Sequence, residues 1–381
     1  MRAPALRSIG KRGLSSVVGA LALASLTSCT IADPASEQAS SSTERPSCRE
    51  DLPASWTDAL RTGLVDIGGV SARPLAAGPA GEVVAVRDNG RTRDVVLIAA
   101  DGDAKTLHVV PNPDQDDVAL AVVDHRWVVI GVGHAPRGAN GIIPAVERID
   151  VIDRRDGQLR TIAQTTEEDR RSGSLTIDSV ALYQGTVYWI THDTFASTSG
   201  VLRSFDLADG SGAEVATGSM ARVRATAAGL TWDVGWGPEG TTSEVKFAAA
   251  LPAEVAAAVG AGPSRLTLAT DGEVYAWRDG ATGLSWWSPK TGLVRITGDV
   301  GGRAARLPDI WVAGPFVVVG AGDAATVVDV RSGTVVDLPV PVVDVDGGTM
   351  AMASPWPPGG GKLEPTMPTV IRTVALPPLG C

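Results

Sequence analysis

The residues most able to do chemistry in this chain are a few histidines and their polar neighbours in predicted loops. His134, Arg137 and Asn140 share one glycine-rich insertion, and His192 and Asp193 directly follow an apolar stretch. An imidazole can accept a proton or ligate a metal ion near neutral pH, and long loops in compact domains often carry function. We therefore take these five side chains as candidate ligand-binding residues. The competing interpretation is that they are solvated loop residues, since surface loops tolerate insertions.

An acidic run and the known catalytic motifs bear on the type of chemistry. Asp114, Asp116 and Asp117 offer oxygen ligands for Ca²⁺, but the run lacks the glycine and distal glutamate of an EF-hand loop, which favours a solvated turn. The sequence contains no His-Glu-x-x-His, no Gly-x-Ser-x-Gly, no phosphate-binding glycine loop and no zinc-spaced cysteine pair. We therefore predict no catalytic residue, no metal site and no cofactor, and an enzyme is the less favoured class.

The elements that must position these residues recur along the chain. Each unit is an apolar segment, a tight turn and a second apolar segment, as in "VALYQGTVYWITHD" and "LTLATDGEVYAWRD". Successive turns are 34 to 59 residues apart, and their central residues are Gly81, Arg126, Gly185, Gly229, Gly272, Gly314 and Gly348. The spacing predicts seven similar units.

A second turn follows the third segment of several units. There Asp, Thr or Ser stands directly before a glycine, a pair that suits tight hairpins because glycine adopts positive φ. These glycines are Gly102, Gly157, Gly210, Gly292 and Gly333. Each unit is therefore predicted to be a four-stranded antiparallel meander that is too small to bury its own faces. Seven such units predict an all-β fold, a seven-bladed β-propeller with four-stranded blades.

The two ends of the repeat region predict how the propeller closes. The last unit contains only three predicted strands, near Val342–Asp346, Thr349–Ala353 and Thr369–Leu376. The Gly63–Ala72 stretch precedes the first unit and can supply the missing strand, so we expect N- and C-terminal strands to close the ring. Just before it, Leu52–Gly63 predicts a short helix with Ser55 as its N-cap.

From about Arg73 to Leu376 this pattern resembles bacterial exported β-propellers of the quinoprotein-like and translocation-lipoprotein-like kinds. In such folds, binding sites usually lie on the face where the loops between second and third strands and the loops between blades emerge. The chain has no Gly-His and Trp-Asp signature of the WD40 type. The resemblance therefore points to no specific family and assigns a role to no residue.

The N-terminus predicts export and membrane anchoring. Four basic residues precede an apolar run from Leu14 to Leu26, which is the layout of a secretory signal and too short to span a bilayer. The run ends in "LTSC", which resembles the bacterial lipobox, so residues 1–28 are predicted to be a signal peptide. Cys29 would become the first mature residue and carry lipid, including palmitate; ordinary secretory cleavage is the alternative.

The remaining chain divides into a tether and one domain. Residues 29–47 are rich in Ser, Glu and Pro and predict a lipidated, disordered tether, while residues 48–381 predict a single propeller domain. Lipidation of Cys29 leaves Cys48 and Cys381, the last residue, as a pair in an oxidising compartment. We predict a disulfide between them; two independent thiols are the alternative.

Charge narrows the class of partner. The net charge of the whole chain is −10, and removal of the four basic residues of the signal lowers it to −14. A nucleic-acid partner is therefore disfavoured, and a partner with a basic surface is favoured.

These observations predict a protein-binding or assembly module, anchored at the outer leaflet of the cell membrane, which acts as a monomer on an envelope protein. The alternative is an envelope hydrolase or lyase that acts on a polysaccharide or a lactone in a funnel on the loop face.

Overall fold

The computed structural model describes residues 42–134, 145–166, 168–169, 176–192, 199–234, 244–247, 250–260, 268–279, 283–298, 300, 309–321, 324–354 and 366–380. This part of the chain is built mainly from antiparallel β-strands and includes two short helices, α1 (Ala54–Thr62) and α2 (Ala253–Gly260). The predicted all-β class is confirmed. The described helices contain none that is both long and apolar enough to cross a bilayer.

The strands of the first half form a four-stranded sheet and a ten-stranded sheet. The four-stranded sheet contains β3 (Ser71–Ala77), β4 (Val83–Asp88), β5 (Arg93–Ile98) and β6 (Ala104–Val109). The ten-stranded sheet contains β7 (Asp116–Val123), β8 (Trp127–His134), β9 (Val146–Asp153), β10 (Leu159–Gln164), β11 (Thr176–Tyr183), β12 (Thr186–His192), β13 (Ser199–Asp206), β14 (Gly212–Thr226), β15 (Gly229–Val234) and β16 (Glu244–Phe247).

The ten-stranded sheet is a chain of meanders rather than one flat layer. β7–β10 form one meander and β11–β14 the next, and a single residue pair, Val146 with Ile177, joins them. The long β14 ends the second meander and begins a third with β15 and β16.

Three further sheets follow in the second half. Their strands are β17 (Leu268–Thr270), β18 (Tyr275–Asp279), β19 (Gly283–Ser288) and β20 (Gly292–Thr297); β21 (Ile310–Ala313), β22 (Phe316–Ala321), β23 (Ala324–Asp329) and β24 (Thr334–Leu338); and β25 (Val342–Asp346), β26 (Thr349–Ser354) and β27 (Met367–Arg372). The glycines predicted for the hairpin turns take left-handed backbone angles; φ is 89° at Gly81 and 79° at Gly333. The predicted strand–turn–strand units are thereby confirmed at these turns.

We call the first strand of each meander its inner strand. Neighbouring inner strands contact one another: β3 with β7, β7 with β11, β11 with β14, β17 with β21, β21 with β25, and β25 with β3. The succession returns from the last sheet to the first, as in a propeller-like arrangement. Five inner strands each contain a β-bulge, seen as a register shift against the strand that follows. They are β3, β7, β11, β14 and β25.

The chain near the N-terminus adds strands to the outside of two sheets. β1 (Thr43–Pro46) pairs in parallel with β20, and β2 (Cys48–Arg49) pairs in parallel with β24. The sequence predicted a disordered tether up to residue 47, so the ordered chain begins earlier than expected. The "TERP" segment pairs through its backbone groups. Its polar sequence therefore shows no apolar pattern from which a strand could be predicted.

The last sheet receives a strand-like segment from the N-terminal part of the chain. Leu64 forms an antiparallel bridge with Thr369 of β27, and the Val370 amide donates a hydrogen bond of 2.8 Å to the Gly63 carbonyl. The expected contribution of the Gly63–Ala72 stretch to the last sheet is thus present, over a shorter span than predicted.

Helix α1 covers the sheets of the last part of the chain. Trp56 is fully buried, and its ring meets that of Phe316 edge-on with centroids 5.1 Å apart. Its indole nitrogen donates to the Pro377 carbonyl at 3.3 Å. The N-cap is Pro53, without a side-chain hydrogen bond, so the expectation of a Ser55 cap is wrong.

Candidate functional site

The N-terminal ends of the inner strands bring several charged side chains together. His134, the last residue of β8, lies opposite Asp116, the first residue of β7. Its Nδ1 is 2.7 Å from the Asp116 carboxylate, whose side chain is buried, whereas the imidazole is one-third exposed. A buried carboxylate on Nδ1 fixes the ring and leaves Nε2 as the nitrogen that can meet a ligand or a proton.

A small cavity lies beside this pair. It measures about 60 Å³ and is lined by Asp116, Val132, Gly133, His134, Glu147, Arg148 and Gln164. Pockets that bind drug-sized ligands measure roughly 300–1,000 Å³, whereas a single buried water needs only about 10–15 Å³. The cavity suits a few water molecules or one small polar group, and it is too small for a sugar ring with its substituents.

The acidic run predicted as a solvated turn takes part in ion pairs between two sheets. Asp117 lies 3.2 Å from the Arg73 guanidinium on β3 and 3.3 Å from that of Arg93 on β5. Arg93 also donates to the Asp116 carbonyl at 3.0 Å, and Arg73 donates to the Val118 carbonyl at 2.8 Å. The Asp117 carboxylate and two backbone carbonyls of β7 therefore tie neighbouring sheets together.

His192, at the end of β12, is held in a different environment. Only 7% of the residue is exposed, and its Nδ1 is 3.0 Å from the Ser199 carbonyl. Its Nε2 lies 3.9 Å from the carboxylate of Asp178, which sits at the bulge of β11. The neighbouring imidazole and the Arg222 amide lower the pKa of Asp178 against the opposing effect of burial.

Arg222 occupies the bulge of β14 with a strained backbone. Its φ is +51°, which is unusual for a residue other than glycine. The guanidinium lies 2.5 Å from the buried carboxylate of Asp233, and Arg224 forms an ion pair with Asp309 just before β21. Burial raises the pKa of Asp233 to about 6, although both arginines favour its charged form. The cluster places acid–base groups close together, with each carboxylate facing a cation.

The structure does not bring the two predicted histidines to one centre. From Gly133, backbone pairing runs through Val146 and Ile177 to Thr191, which places the two histidine-bearing strands about 14 Å apart at ordinary strand spacing. Each ring also has a different carboxylate beside it. No group of three potential metal ligands is found among the described residues. Arg137, Asn140 and Asp193 lie outside the described residues, as do Cys29 and Cys381.

Sequence reasoning missed the partners of both histidines. Asp116 could have been found by counting back from the predicted turn at Arg126, because the strand register places it opposite His134 to within one residue. Arg222 and Asp233 carried no signal, since their proximity depends on a bulge that the sequence does not mark.

Comparison with known proteins identifies the fold alone. No family model and no curated protein matches the chain. An oligogalacturonate lyase in complex with manganese is similar with a TM-score of 0.50 and 9% identity, over 80% of this chain and 90% of that one. An oligogalacturonate lyase from Vibrio parahaemolyticus is similar with a TM-score of 0.50 and 9% identity, over 81% and 92%. The Neurospora crassa Pan2 WD40 domain gives a TM-score of 0.43 at 9% identity, over 80% and 90%.

Together with the succession of inner strands, the two lyase matches define this chain as a protein with a β-propeller-like fold. At 9% identity they say nothing about its activity, its substrate or its metal.

Proposed function

We propose that this chain is a lipid-anchored, extracytoplasmic β-propeller that acts as a protein-binding or assembly module at the cell envelope. The observation that carries the proposal is the paired state of the charged groups at the N-terminal ends of the inner strands. Asp117, Asp178 and Asp233 each face a cation or an imidazole, and the cavity beside His134 measures about 60 Å³. A shallow, polar surface of this kind suits the rim of a protein interface better than a substrate pocket.

The proposed seven blades rest on the strand order. The meanders named above, with the short β25–β27 sheet as the last, agree with seven repeated turns in the sequence. Contact between β25 and β3, together with the Leu64–Thr369 bridge, supports closure between the last blade and the first.

The proposed disulfide joins Cys48 to Cys381. The pairing of β2 with β24 places Cys48 opposite Thr334. The Ser332 hydroxyl, two residues away, donates to the Leu379 carbonyl at 2.8 Å. Leu379, two residues before Cys381, therefore lies near the strand that pairs with Cys48. This proximity supports pairing with Cys381 over pairing with Cys29.

The proposed anchor is lipid on Cys29, at the outer leaflet of the cell membrane. Its support is the signal layout and the "LTSC" ending, and the net charge of −14 after cleavage favours a basic envelope partner. Replacing Cys29 with Ser should move the protein from the membrane fraction to the soluble extracytoplasmic fraction. Continued membrane association of this variant would refute the anchor.

The binding role is tested by photocrosslinking in intact cells. A photoreactive amino acid replaces His134, which is one-third exposed at the charged rim, and a matched variant carries it at Val374, which is 88% exposed beyond β27. The proposal expects one stoichiometric envelope protein crosslinked from His134 and absent from the Val374 sample. The purified partner should then bind the native chain and bind an Asp117→Ala chain more weakly. Absence of any adduct at His134 would contradict the proposal.

The His134–Asp116 pair is the observation that favours the alternative, a hydrolase or lyase acting on a polysaccharide or lactone. A carboxylate-oriented imidazole beside Glu147 and Arg148 has the form of a general base with a cation nearby. The test is release of products from uronate polysaccharides and lactones, with and without added Mn²⁺. Activity that is lost in His134→Ala while the fold remains intact would favour the enzyme.

A further inference from the structure

The inner strands begin beside the charged groups described above and end at turns on the opposite face. In the last two sheets the turns of that face are residues 314–315, 330–333 and 347–348. The Thr373 hydroxyl donates to the Gly348 carbonyl at 3.0 Å and lies 3.7 Å from the position of a Cβ on Gly314. The Val330 amide donates to the Pro315 carbonyl at 2.9 Å, so the three turns are linked. We call this end of the sheets the turn face.

The chain after β27 leaves an apolar patch on the turn face. Val374 is 88% exposed, more than any other large hydrophobic side chain among the described residues. Ala375, Pro377 and Pro378 are exposed beside it, so four of five consecutive residues offer apolar surface to solvent. Single exposed apolar residues are normal on a protein surface, whereas contiguous ones point to a binding surface. We call residues 374–378 the C-terminal patch.

The patch is held in place by the residues around it. Leu376 and Leu379 are 6% and 2% exposed and belong to the core cluster that contains Trp56. The Leu379 amide donates to the Asp329 carboxylate at 3.0 Å, and the Trp56 indole donates to the Pro377 carbonyl at 3.3 Å. Folding therefore buries the neighbours of the patch and leaves its own apolar side chains exposed.

The N-terminal end of β1 points to the same face. β1 runs parallel to β20, and β20 begins at the turn after β19. A Cβ on Gly333 would lie 4.0 Å from the Arg45 side chain of β1, and the Ser332 hydroxyl donates to the Leu379 carbonyl at 2.8 Å. β1 and the C-terminal segment therefore contact one turn, residues 330–333. The described chain thus begins on the side of the molecule that carries the patch.

We propose that the C-terminal patch docks on the outer surface of the phospholipid bilayer that holds the lipid anchor. This inference rests on the proposed anchor at Cys29 and gives the anchored domain its orientation. Ser42, the first described residue, follows Cys29 by 13 positions, so the connecting chain spans at most about 45 Å. A tether of this length keeps the patch at a high effective concentration near the bilayer, so that a weak apolar contact suffices.

The charge beside the patch suits phospholipid headgroups. Arg372 is exposed, and its guanidinium donates to the Ala80 carbonyl at 2.6 Å. A guanidinium has five N–H donors and binds phosphate oxygens through two parallel hydrogen bonds. In this orientation the charged groups around His134 and Asp178 point away from the bilayer, where an envelope protein meets them.

The experiment measures lipid contact on vesicles of phosphatidylcholine and phosphatidylglycerol whose acyl chains carry bromine, a quencher of fluorescence. An environment-sensitive fluorescent amino acid replaces Val374 in the native protein purified from membranes. Two control proteins carry it at Val215, which is 45% exposed on β14, and at His134. The same three positions are labelled in a chain that starts at residue 29 with a polyhistidine tag, held on vesicles with nickel-chelating lipid. The tagged chain retains every described residue and makes the result independent of natural lipidation.

The proposal expects several-fold stronger quenching at Val374 than at Val215 or His134 in both preparations. Equal quenching at Val374 and Val215, or stronger quenching at His134, would overturn the docking. A native chain without lipid, together with selective quenching at Val374 in the tagged chain, would refute the anchor and leave the patch as a lipid-binding surface. A protein adduct at photoreactive Val374 in cells would identify a protein occupant and overturn the bilayer contact.

Discussion

Two outer strands, β20 and β24, pair with the N-terminal strands β1 and β2, and we call them covered. We call β6 and the first half of β14 open and compare them with the covered strands. β24, which pairs with β2, is largely buried and β20, which pairs with β1, is partly buried, whereas β6 and the first half of β14 are mostly exposed. The covered strands β20 and β24 are regular, whereas β6 and the first half of β14 are bulged; the outer strands β16 and β27 are regular as well. The difference teaches that the polar N-terminal segment is held by backbone pairing on edges without a bulge, and that the absence of a bulge does not by itself determine where a strand adds.

The largest expected effect tests whether the covered side is the more tightly packed. Trp56 is fully buried against Phe316 and close to the covered sheet of β24. Trp56→Ala should lower the free energy of unfolding by about 3–5 kcal/mol, because it removes a large side chain and leaves a cavity.

The matched substitution on the open side is Val215→Ala. Val215 is 45% exposed, so the change should cost less than about 0.5 kcal/mol. Urea unfolding, followed by tryptophan fluorescence and circular dichroism, measures both variants. Similar losses in the two variants would contradict the contrast between the sides.

A glycine pair tests the contact of the added segment directly. Gly298 follows β20 with φ of +126°, and a methyl group on it would lie 2.8 Å from the Ser47 hydroxyl. Gly218 in the open strand β14 has φ of +137° and open space around it. Alanine at either position should cost about 1–3 kcal/mol in backbone strain, but only Gly298→Ala should also displace residues 43–49.

Hydrogen exchange separates these two effects. In Gly298→Ala the amides of the β1–β2 segment should exchange faster, while in Gly218→Ala they should keep their native protection. Equal protection in both variants would show that the Ser47 contact does not hold the segment.

The sequence predicted the repeated parts of the molecule because they rest on local signals. Alternating apolar strands and glycine turns are readable in one pass, and Gly81 and Gly333 adopt the positive φ that such turns need. The β1 strand was not predictable, since its partner strand β20 lies about 250 residues further along the chain. Bulges were equally hidden, because an extra residue such as that at Arg222 leaves the apolar pattern almost unchanged.

The candidate site was predictable only in part for the same reason. His134 and His192 stand out by residue type and loop position, but their partners come from other strands. Asp116 lies within reach of a register count, whereas Asp178 depends on the bulge of β11. Residue type therefore singled out the two histidines as candidates, and tertiary geometry gives each of them a different carboxylate.

Asp344 lies where the last sheet contacts the first, a contact that we call the seam. The pH dependence of stability can test this contact. The Asp344 carboxyl group on β25 accepts a hydrogen bond of 2.9 Å from the Ala77 amide of β3. It also accepts a hydrogen bond from the Trp311 side chain of β21. Burial raises the pKa of Asp344 to about 6, so the folded state holds a proton that the unfolded state loses near pH 4. Its contribution to stability is therefore present at low pH and is lost as pH rises from about 4 to about 6.

Asp344→Asn should remove this pH dependence. Relative to the native chain, the variant should gain about 3 kcal/mol at pH 7.5 and nothing near pH 4, measured by urea unfolding across this range. For comparison, Asp233→Asn removes a carboxyl whose pKa burial also raises to about 6 but which faces Arg222, so its gain above pH 6 should be smaller than that of Asp344→Asn. A pH-independent effect of Asp344→Asn would contradict the buried-carboxyl interpretation of the seam.

The smallest expected effect asks whether side chains or backbone hold the covered segment. Arg49 of β2 pairs with Asp337 of β24, but the two side chains are 38% and 58% exposed. A double-mutant cycle with Arg49→Ala and Asp337→Ala should therefore give a coupling of no more than about 0.5 kcal/mol. The matched cycle on the first sheet uses Arg87 and Asp94, which are 2.8 Å apart and 25% and 7% exposed, and should give a larger coupling. If the Arg49 pair proved the stronger, side-chain contacts rather than backbone pairing would explain how the segment is held.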